Sequence, residues 1–302
     1  MISVLVLLST YNGEQFIEEQ IKSLLDQEGI DIRILIRDDG SSDGTVDIIK
    51  NLQQSGKIDL VLGENIGYAK SFMTLIHLAA NQVADYYAFC DQDDIWESNK
   101  LKVAVTALGQ SRNEPALYLS QAKIVDSNLK AIDTTFHKRK VDLGSVLEHN
   151  YAIGCTMVFN ENLRSLLDIN LSDMSLTCGH DSWVYLVALA IDAQLVFDLN
   201  GYVLYRQHGT NASGKIISVQ QGLNAVKKIL FTWKNARCDS AKKIIKSYKN
   251  RMSTQNYELL YEAAEYQSSI KNKIQLLKNR RMKSDYLFVD FLYKFSVIFN
   301  LF

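Results

Sequence analysis

The residues best equipped for chemistry form one acidic stretch, Cys90-Asp91-Gln92-Asp93-Asp94-Ile95-Trp96. It follows an apolar, aromatic run at 86–89 that predicts a buried strand. Carboxylates at the C-terminal end of such a strand lie where open α/β sheets bind ligands. Three neighbouring acids repel one another unless a positive charge joins them, and divalent cations prefer oxygen ligands. The stretch predicts either a divalent-cation site able to hold a diphosphate or a solvated acidic loop.

Three other residues, Asp181, Arg206 and His208, lie further along the chain and could take part in the same chemistry. Asp181 follows His180 and precedes an apolar run at 184–191 that predicts a helix. Its carboxylate suits a general base, but it is equally suited to cap that helix. His208 could complete a metal shell and Arg206 could pair with a diphosphate. Taken alone, His208 is more often a structural or surface histidine.

The elements that must position these residues alternate along the chain. Short apolar runs at 3–8, 32–36, 58–62 and 86–89 predict strands. The segments between them carry apolar residues at helical spacing and predict helices. This alternation predicts an α/β fold, a doubly wound and mostly parallel sheet with helices on both faces. Each strand runs into a polar loop, and right-handed crossovers bring such loops to one edge of the sheet. We therefore expect four loop residues to be neighbours: Thr10, Asp39, Asn65 and Asp91.

Later apolar runs predict further strands at 117–120, 122–125, 153–159, 196–198 and 203–205. No G-x-G-x-x-G pattern follows the first strand, and no P-loop pattern occurs in the chain. Dinucleotide and P-loop modes of phosphate binding are therefore disfavoured. Any phosphate bound at this sheet must be held by a metal and the acids.

Composition places the chain of 302 residues among ordinary globular proteins, with 47% hydrophobic and 22% charged residues. The apolar N-terminus at 1–8 has no basic region or cleavage site, so it predicts a strand and not a signal peptide. The four cysteines are widely spaced without a C-x-x-C pair, which predicts neither a zinc site nor a disulfide framework and fits a reducing compartment.

The net charge of −1 conceals an uneven distribution, because residues 215–302 carry 17 basic and 6 acidic residues. We predict a catalytic domain at 1–214 and a basic, amphipathic helical region at 215–302. Within that region, 226–234 mixes apolar and basic residues, and the aromatic stretch 286–299 is shorter than the roughly 20 residues of a spanning helix. Basic charge beside apolar faces favours contact with an anionic membrane surface. Packing on the catalytic domain or on a second copy is the alternative.

Taken together, these motifs resemble those of the family 2 inverting glycosyltransferases of the GT-A fold. They look most similar to the bacterial rhamnosyltransferases of surface polysaccharide synthesis. The resemblance covers about residues 3–211 and rests on six segments in order: 9–13, 37–45, 64–67, 91–96, 180–181 and 205–208.

The resemblance implies a nucleotide site along the first loops. Thr10, Tyr11 and Glu14 would border the nucleotide. Asp39 would accept a hydrogen bond from the pyrimidine N3–H, with Asp38 supporting its loop. Asn65 and Asp91 would complete this site, Asp91 on the ribose side.

The resemblance also implies the catalytic groups. Asp93, in the family's DxD pattern, and His208 would hold a divalent cation, Mn²⁺ or Mg²⁺, while Arg206 would face the diphosphate. Asp181 would be the general base that activates the acceptor hydroxyl. His180 departs from many relatives, which have Glu at this position, so its role stays open.

The expected function is metal-dependent, inverting transfer of L-rhamnose from dTDP-rhamnose to a lipid-linked or cell-surface glycan. One alternative is a UDP-hexose transferase, for galactose or glucose, of capsule or cell-wall synthesis. Another is a non-catalytic nucleotide-sugar-binding partner of a transferase, against which the intact Asp93, Asp181 and His208 speak. The expected location is cytoplasmic, peripheral at the inner face of the cell membrane. No nucleic acid partner is expected, and the C-terminal region could support a homo-oligomer.

Overall fold

A computed structural model describes residues 1–109, 114–134, 142–148, 150, 152–177, 179–208, 234–284 and 287–302. The chain forms two compact units. The first comprises Met1–His137, Ala152–Ile169 and Ala193–Ala212, and the second comprises Lys138–Tyr151, Asn170–Asp192 and Ser213–Phe302. The second unit therefore adds two earlier segments to the C-terminal helices. The predicted boundary after residue 214 and the predicted amphipathic segment 226–234, except for Lys234, lie outside the described residues, and both stay predictions.

The first unit is built on a nine-stranded sheet. Its strands are β1 (Ser3–Thr10), β2 (Asp31–Asp38), β3 (Ile58–Leu62), β4 (Tyr86–Cys90), β5 (Ile95–Trp96), β6 (Ala116–Val125), β7 (Ala131–Thr134), β8 (Val158–Asn160) and β9 (Gln194–Arg206). The order across the sheet is β3-β2-β1-β4-β8-β6-β9-β5, with β7 paired to β6. Strands β1 to β4 are parallel, β6 and β9 are parallel, and the other pairs are antiparallel.

Five helices accompany this sheet in the described part of the first unit: α1 (Ile17–Leu25), α2 (Thr45–Leu52), α3 (Tyr68–Ala79), α4 (Lys100–Leu108) and α6 (Glu161–Leu167). Helix α1 shows why the sequence forms them. Its apolar residues Ile17, Ile21 and Leu24 recur at helical spacing and are buried, while Glu18 and Glu19 lie in the first turn. Strands β1 and β4 instead carry continuous apolar runs, as expected of strands covered on both faces. The predicted α/β fold is confirmed.

The strand registers align the polar loops at one edge. Thr10 pairs with Asp38, Asp38 pairs with Leu62, and Leu8 pairs with Cys90. Because these four strands are parallel and end at matching positions, the loops that follow them leave the sheet from the same edge. This edge positions most of the predicted site residues.

The predicted strand at 153–159 is wrong over its first half. Residues Gly154–Thr156 form a 3₁₀ turn, and only Val158–Asn160 form a strand. The Thr156 N–H donates to the Ile153 carbonyl at 3.0 Å, and the Met157 N–H donates to the Gly154 carbonyl at 2.9 Å. These local hydrogen bonds use backbone groups that a longer strand would have paired with its neighbours. Apolar character alone does not reveal this difference.

The described part of the second unit is helical. Its helices are α5 (Leu143–Glu148), α7 (His180–Ala190), α8 (Ala236–Tyr248), α9 (Thr254–Glu265), α10 (Ile270–Lys278) and α11 (Leu287–Ile298). Side chains from several of these helices tie the unit together. The Asn256 side chain donates to the Leu189 carbonyl at 3.0 Å, and Arg237 donates to the Glu148 carbonyl at 2.8 Å. In the described ranges, no helix has both the length and the apolar character needed to cross a bilayer.

Candidate active site

The acidic stretch forms a loop between β4 and β5 at the edge where the parallel strands end. Strand β5 pairs antiparallel with β9, Ile95 opposite Leu204, so the end of β9 is carried back to this loop. As a result, Nε2 of His208 lies 2.7 Å from Oδ2 of Asp93, although 115 positions separate the two residues in the chain. The structure thus brings together the two residues predicted to hold a metal.

This pair fits a divalent cation. A carboxylate oxygen and an imidazole nitrogen are accepted ligands of Mn²⁺, and Mg²⁺ prefers oxygen. Two ligands at right angles on one ion, at bond lengths of about 2.1 Å, stand about 3 Å apart. The observed 2.7 Å between Asp93 and His208 is close to that spacing. Both side chains are largely shielded from solvent, and a bound ion would replace the proton that they share in this contact.

A second set of possible ligands lies beside this pair. Within the described ranges, Asp91, Asp94 and Cys155 offer atoms that all lie within 4.8 Å of one another. Burial, reinforced by the charges of Asp93 and Asp91, raises the pKa of Asp94 well above its ordinary value. Burial likewise raises the pKa of the Cys155 thiol. Two protons must therefore be displaced before this set could bind a cation.

Arg206 forms hydrogen bonds to the acidic loop. Its backbone N–H donates to Oδ1 of Asp94 at 3.1 Å, and its Nε donates to the Asp93 carbonyl at 2.9 Å. Nη1 donates to the Ser127 carbonyl at 3.0 Å, and Nη2 donates to the Glu19 carboxylate at 2.6 Å. The residue is only 4% exposed. All three guanidinium nitrogens have acceptors within the chain in this structure, and the predicted contact of Arg206 with a diphosphate stays a prediction.

Helix α1 supports the same cluster. The Phe16 ring lies 4.8 Å from the His208 ring and 4.8 Å from the Arg206 guanidinium. Glu19, one turn further along, accepts from Arg206. Neither Phe16 nor Glu19 belongs to a sequence motif. Their contacts with Arg206 and His208 exist only because β9 brings these two residues next to them. We assign Arg206 and Glu19 a positioning role for Asp93 and His208.

Replacing Glu19 by Gln should weaken binding of Mn²⁺ by about 5- to 10-fold, because the neutral amide loses a charge-assisted hydrogen bond to Arg206. Titration of Mn²⁺ monitored by calorimetry measures the effect. Glu18→Gln is the matched control, since Glu18 lies on the same helix and pairs with exposed Lys22. Equal Mn²⁺ affinities in the two variants would contradict the positioning role.

Gln92 joins the first loop to the acidic loop. Its Oε1 accepts from Oγ1 of Thr10 at 2.7 Å and from the Tyr11 N–H at 2.9 Å. A Cβ atom on Gly13 would lie 2.4 Å from the same oxygen, so glycine leaves room for this tie. Gln92 was not among the predicted site residues, although its position between Asp91 and Asp93 was an available signal. Thr10 is buried and Tyr11 is exposed beside it.

The loop after β2 is organised by its two aspartates. Asp38 accepts from the backbone N–H groups of Gly40 and Ser41 at 3.1 and 2.9 Å. Asp39 is 2% exposed, forms an ion pair with Arg37 and accepts from the Gly67 N–H at 2.9 Å. In this structure the Asp39 carboxylate joins the loops after β2 and β3, and contact with a pyrimidine stays a prediction.

The remaining predicted nucleotide residues lie at the same edge. Glu14 accepts from the Gly44 N–H at 2.7 Å, which connects the first loop to the start of α2. Asn65 accepts from the Gly67 N–H at 3.1 Å and is exposed in the loop after β3. Asp91 is half-buried at the end of β4. The edge thus carries a continuous set of loops connected by side-chain hydrogen bonds.

Lys100 is a further residue near the site that no sequence motif marks. It opens α4, is fully buried, and its Nζ lies 3.2 Å from the centroid of the Trp96 ring. Its Nζ has no hydrogen-bond partner among the residues that the structure describes. Burial lowers the pKa of Lys100 to about 7, while nearby Cys155, Cys90 and Asp94 oppose that shift. Lys100 therefore places a partly charged ammonium next to the buried part of the acidic cluster.

Asp181 belongs to the second unit, where it is the second residue of α7. Gly179 precedes the helix with a φ of 101°, a conformation that favours glycine. The Ser182 N–H donates to Asp181 at 2.7 Å, and no side-chain cap from residue 179 is possible. Burial raises the pKa of Asp181 to about 6, and burial lowers the pKa of His180 to about 3. At neutral pH these pKa values leave Asp181 mostly ionised and His180 neutral.

A mostly parallel sheet with helices, an acidic loop at its carboxyl edge and an Asp–His pair there define a GT-A-type α/β transferase. Residues 5–167 match the model of the family described as "Glycosyl transferase family 2". The chain belongs to this glycosyltransferase family, whose members use nucleotide sugars.

Two curated relatives and one solved structure illustrate the match. The dTDP-rhamnosyl transferase RfbG of Shigella flexneri is 32% identical over 225 residues, which covers 70% of this chain and 75% of that protein. The UDP-Glc:alpha-D-GlcNAc-diphosphoundecaprenol beta-1,3-glucosyltransferase WfgD of Escherichia coli is 28% identical, covering 53% and 61%. The structure of S. aureus TarS 1-349 in complex with UDP-GlcNAc has a TM-score of 0.56 at 14% identity, covering 98% and 89%. This last likeness concerns the fold alone.

Proposed function

We propose that this enzyme transfers L-rhamnose from dTDP-rhamnose, in a metal-dependent and inverting reaction, to a hydroxyl of a lipid-linked or cell-surface glycan. The contact of Asp93 with His208 at the carboxyl edge of the sheet is the observation that carries the proposal. The similarity to the dTDP-rhamnosyl transferase RfbG over 225 residues supports the choice of donor.

In this proposal Asp93 and His208 hold Mn²⁺ or Mg²⁺. When bound, the cation neutralises charge that develops on the leaving nucleoside diphosphate. Arg206 and Glu19 keep the two ligands in place through the contacts of the Arg206 guanidinium. Preorganised ligands matter because rearrangement during the reaction would raise the barrier.

Asp181 acts in this proposal as the general base. It takes the proton of the acceptor hydroxyl while the hydroxyl oxygen bonds to the anomeric carbon. The bond from that carbon to the diphosphate oxygen breaks on the opposite face, and the diphosphate leaves with the electron pair. One displacement inverts the carbon. A pKa of about 6 keeps Asp181 ionised at neutral pH and basic enough for this task.

The first loops would bind the nucleotide. We propose that Thr10, Tyr11, Glu14 and Asn65 border it and that Asp91 binds its ribose. Tyr11 is exposed at the carboxyl edge of the sheet, where its ring can meet a base. For Asp39 we retain contact with the pyrimidine, with the ion pair to Arg37 fixing the position of the carboxylate.

The second candidate is a UDP-hexose transferase for glucose or galactose. The similarity to the glucosyltransferase WfgD favours it, although that match covers a smaller part of both proteins. Both candidates use the same metal and base, so the difference lies in the sugar pocket and the nucleotide.

A panel of donors separates the two candidates. We expect turnover of dTDP-rhamnose, measured as release of dTDP with Mn²⁺ present, to exceed that of UDP-glucose and UDP-galactose by at least about 100-fold. Chelator should abolish the reaction. A preference for a UDP-hexose would replace the proposed donor, and full activity in chelator would remove the metal from the mechanism.

For its surroundings, we propose that the enzyme works as a peripheral protein at the inner face of the cell membrane, where a lipid-linked acceptor would be presented. A homo-oligomer formed through the C-terminal region is the competing arrangement for the same surface.

A further inference from the structure

Helix α11 has apolar residues on both of its faces, but the chain buries only one. Tyr293, Ser296 and Val297 are buried, and the Tyr293 hydroxyl donates to the Leu276 carbonyl at 2.8 Å. Phe302 completes this inner side, its ring centroid 5.4 Å from that of Tyr293. The inner face therefore anchors the helix within the second unit.

The outer face of α11 is a row of phenylalanines. Phe288, Phe291, Phe295 and Phe299 are three or four positions apart, so they share one side of the helix. The rings of Phe291 and Phe295 are 6.4 Å apart, and those of Phe295 and Phe299 are 4.4 Å apart. Phe288 is 63% and Phe291 60% exposed. A contiguous row of large apolar side chains on a protein surface marks an interaction site, so we expect this row to have a partner.

The neighbouring helix α10 extends this apolar surface. Lys273 of α10 donates to the Ile298 carbonyl at 3.1 Å, which fixes the two helices against each other. Ile270 and Ile274 are exposed on α10, as Ile298 is on α11. We use the name phenylalanine face for the exposed apolar side chains of these two helices.

The two helices that form the phenylalanine face and the turn between them are rich in basic residues. Residues 270–299 contain seven basic side chains and two acidic ones. One of the two acids, Asp290, is half-buried and accepts from the backbone N–H and the hydroxyl of Ser284. By contrast, Lys271, Lys278, Arg280 and Lys294 are exposed. The face thus combines large apolar side chains with net positive charge.

We propose that the phenylalanine face inserts into the surface of an anionic lipid bilayer. Aromatic and aliphatic side chains flanked by lysines suit a helix that lies in the plane of the headgroups. With 12 residues and a rise of about 1.5 Å each, α11 is far too short to span the bilayer. A second copy of the chain would bring like charges together around the apolar contact, whereas anionic lipids neutralise them. This inference deepens the proposed membrane location without depending on the donor or the catalytic residues.

Sedimentation of the 302-residue chain with lipid vesicles tests the inference. Vesicles of phosphatidylcholine with one third phosphatidylglycerol should bind the protein, and vesicles of phosphatidylcholine alone should bind it at least about 10-fold more weakly. The double variant Phe288→Ser/Phe291→Ser should lose roughly 100-fold in partitioning. Lys271→Gln/Lys294→Gln should lose about 10-fold at low salt and less at high salt.

The matched control is Val83→Ser/Ile132→Ser, which removes two exposed apolar side chains from the first unit. It should bind vesicles like the unaltered protein, and thermal melts should show that every variant is folded. Donor hydrolysis should persist in all of them, so a failed vesicle test leaves the transferase proposal standing. Equal binding by the phenylalanine variant would overturn the inference. The inference would also be overturned if the protein did not bind vesicles and instead formed a dimer, measured by sedimentation equilibrium, that the phenylalanine variant no longer forms.

Discussion

Replacing Asp181 by Asn should lower kcat by about 10²- to 10⁴-fold while the dissociation constant of the nucleotide sugar changes less than twofold. General base catalysis contributes an acceleration of this order, and the amide cannot take the proton. Asn is nearly isosteric and can still accept from the Ser182 N–H, so the start of α7 should be kept. Steady-state kinetics and calorimetric titration of the donor measure the two quantities.

The folded state offers a second readout of the same variant. Burial raises the pKa of Asp181 to about 6, above the value of about 3.9 in an unfolded chain. The native carboxyl therefore binds more protons between these values, and its contribution to stability falls as the pH rises through this window. At pH 7, Asp181→Asn should raise the free energy of unfolding by roughly 1 to 3 kcal/mol. A stabilised and inactive variant identifies a catalytic carboxylate; equal loss of stability and donor binding would identify a structural one.

The pH profile completes this test. Because the base acts only when ionised, kcat of the unaltered enzyme should fall about tenfold per unit below pH 6 and level off above it. Asp173→Asn is the matched control, since it removes another carboxylate of the second unit that pairs with Lys246. It should keep both the rate and the profile.

Replacing Asp93 or His208 by Ala should weaken Mn²⁺-dependent binding of the nucleotide at least about 100-fold, because each removal takes one of two contacting ligands. Calorimetric titration of the nucleoside diphosphate with Mn²⁺, and again in chelator, isolates the metal-dependent part. In chelator, variant and unaltered protein should bind equally weakly. Undiminished Mn²⁺-dependent binding would show that the two side chains form a structural pair.

Two controls match these variants in chemistry. Asp31→Ala removes an exposed carboxylate at the start of β2, at the opposite end of the strand from the site. His77→Ala removes an exposed imidazole that pairs with Asp168. Both should retain Mn²⁺-dependent binding, which would separate the proposed ligand role from a general loss of charge or of an imidazole.

Short apolar runs alternate in the sequence with segments whose apolar residues recur at helical spacing. This alternation was enough to predict the α/β sheet and the loops at its carboxyl edge. This succeeds because burial between two layers of helices requires continuous apolar strands, and such runs are visible in the sequence. The polar residues after each strand then follow from the parallel arrangement. The acidic stretch at 91–94 was recognisable because it directly follows one of these apolar runs, at 86–89.

What the sequence could not supply were contacts made across long separations. The 3₁₀ turn at 154–156 replaces half of a predicted strand through local hydrogen bonds that apolar character does not encode. The buried guanidinium of Arg206 is engaged by Glu19 and the acidic loop, contacts that no sequence motif marks. Gln92 and Lys100 gained their significance only from the side chains that surround them.

By itself, then, the sequence determined the fold class, the family and the residue types available at one edge of the sheet. The tertiary structure decided which of them meet, because β9 returns antiparallel to β5 and carries His208 to Asp93. It also decided which apolar side chains stay exposed, since α11 buries one face and leaves its phenylalanines outside. Periodicity in the sequence indicates which residues can be buried. The folded chain has a limited interior, so only the tertiary structure shows which of them are buried.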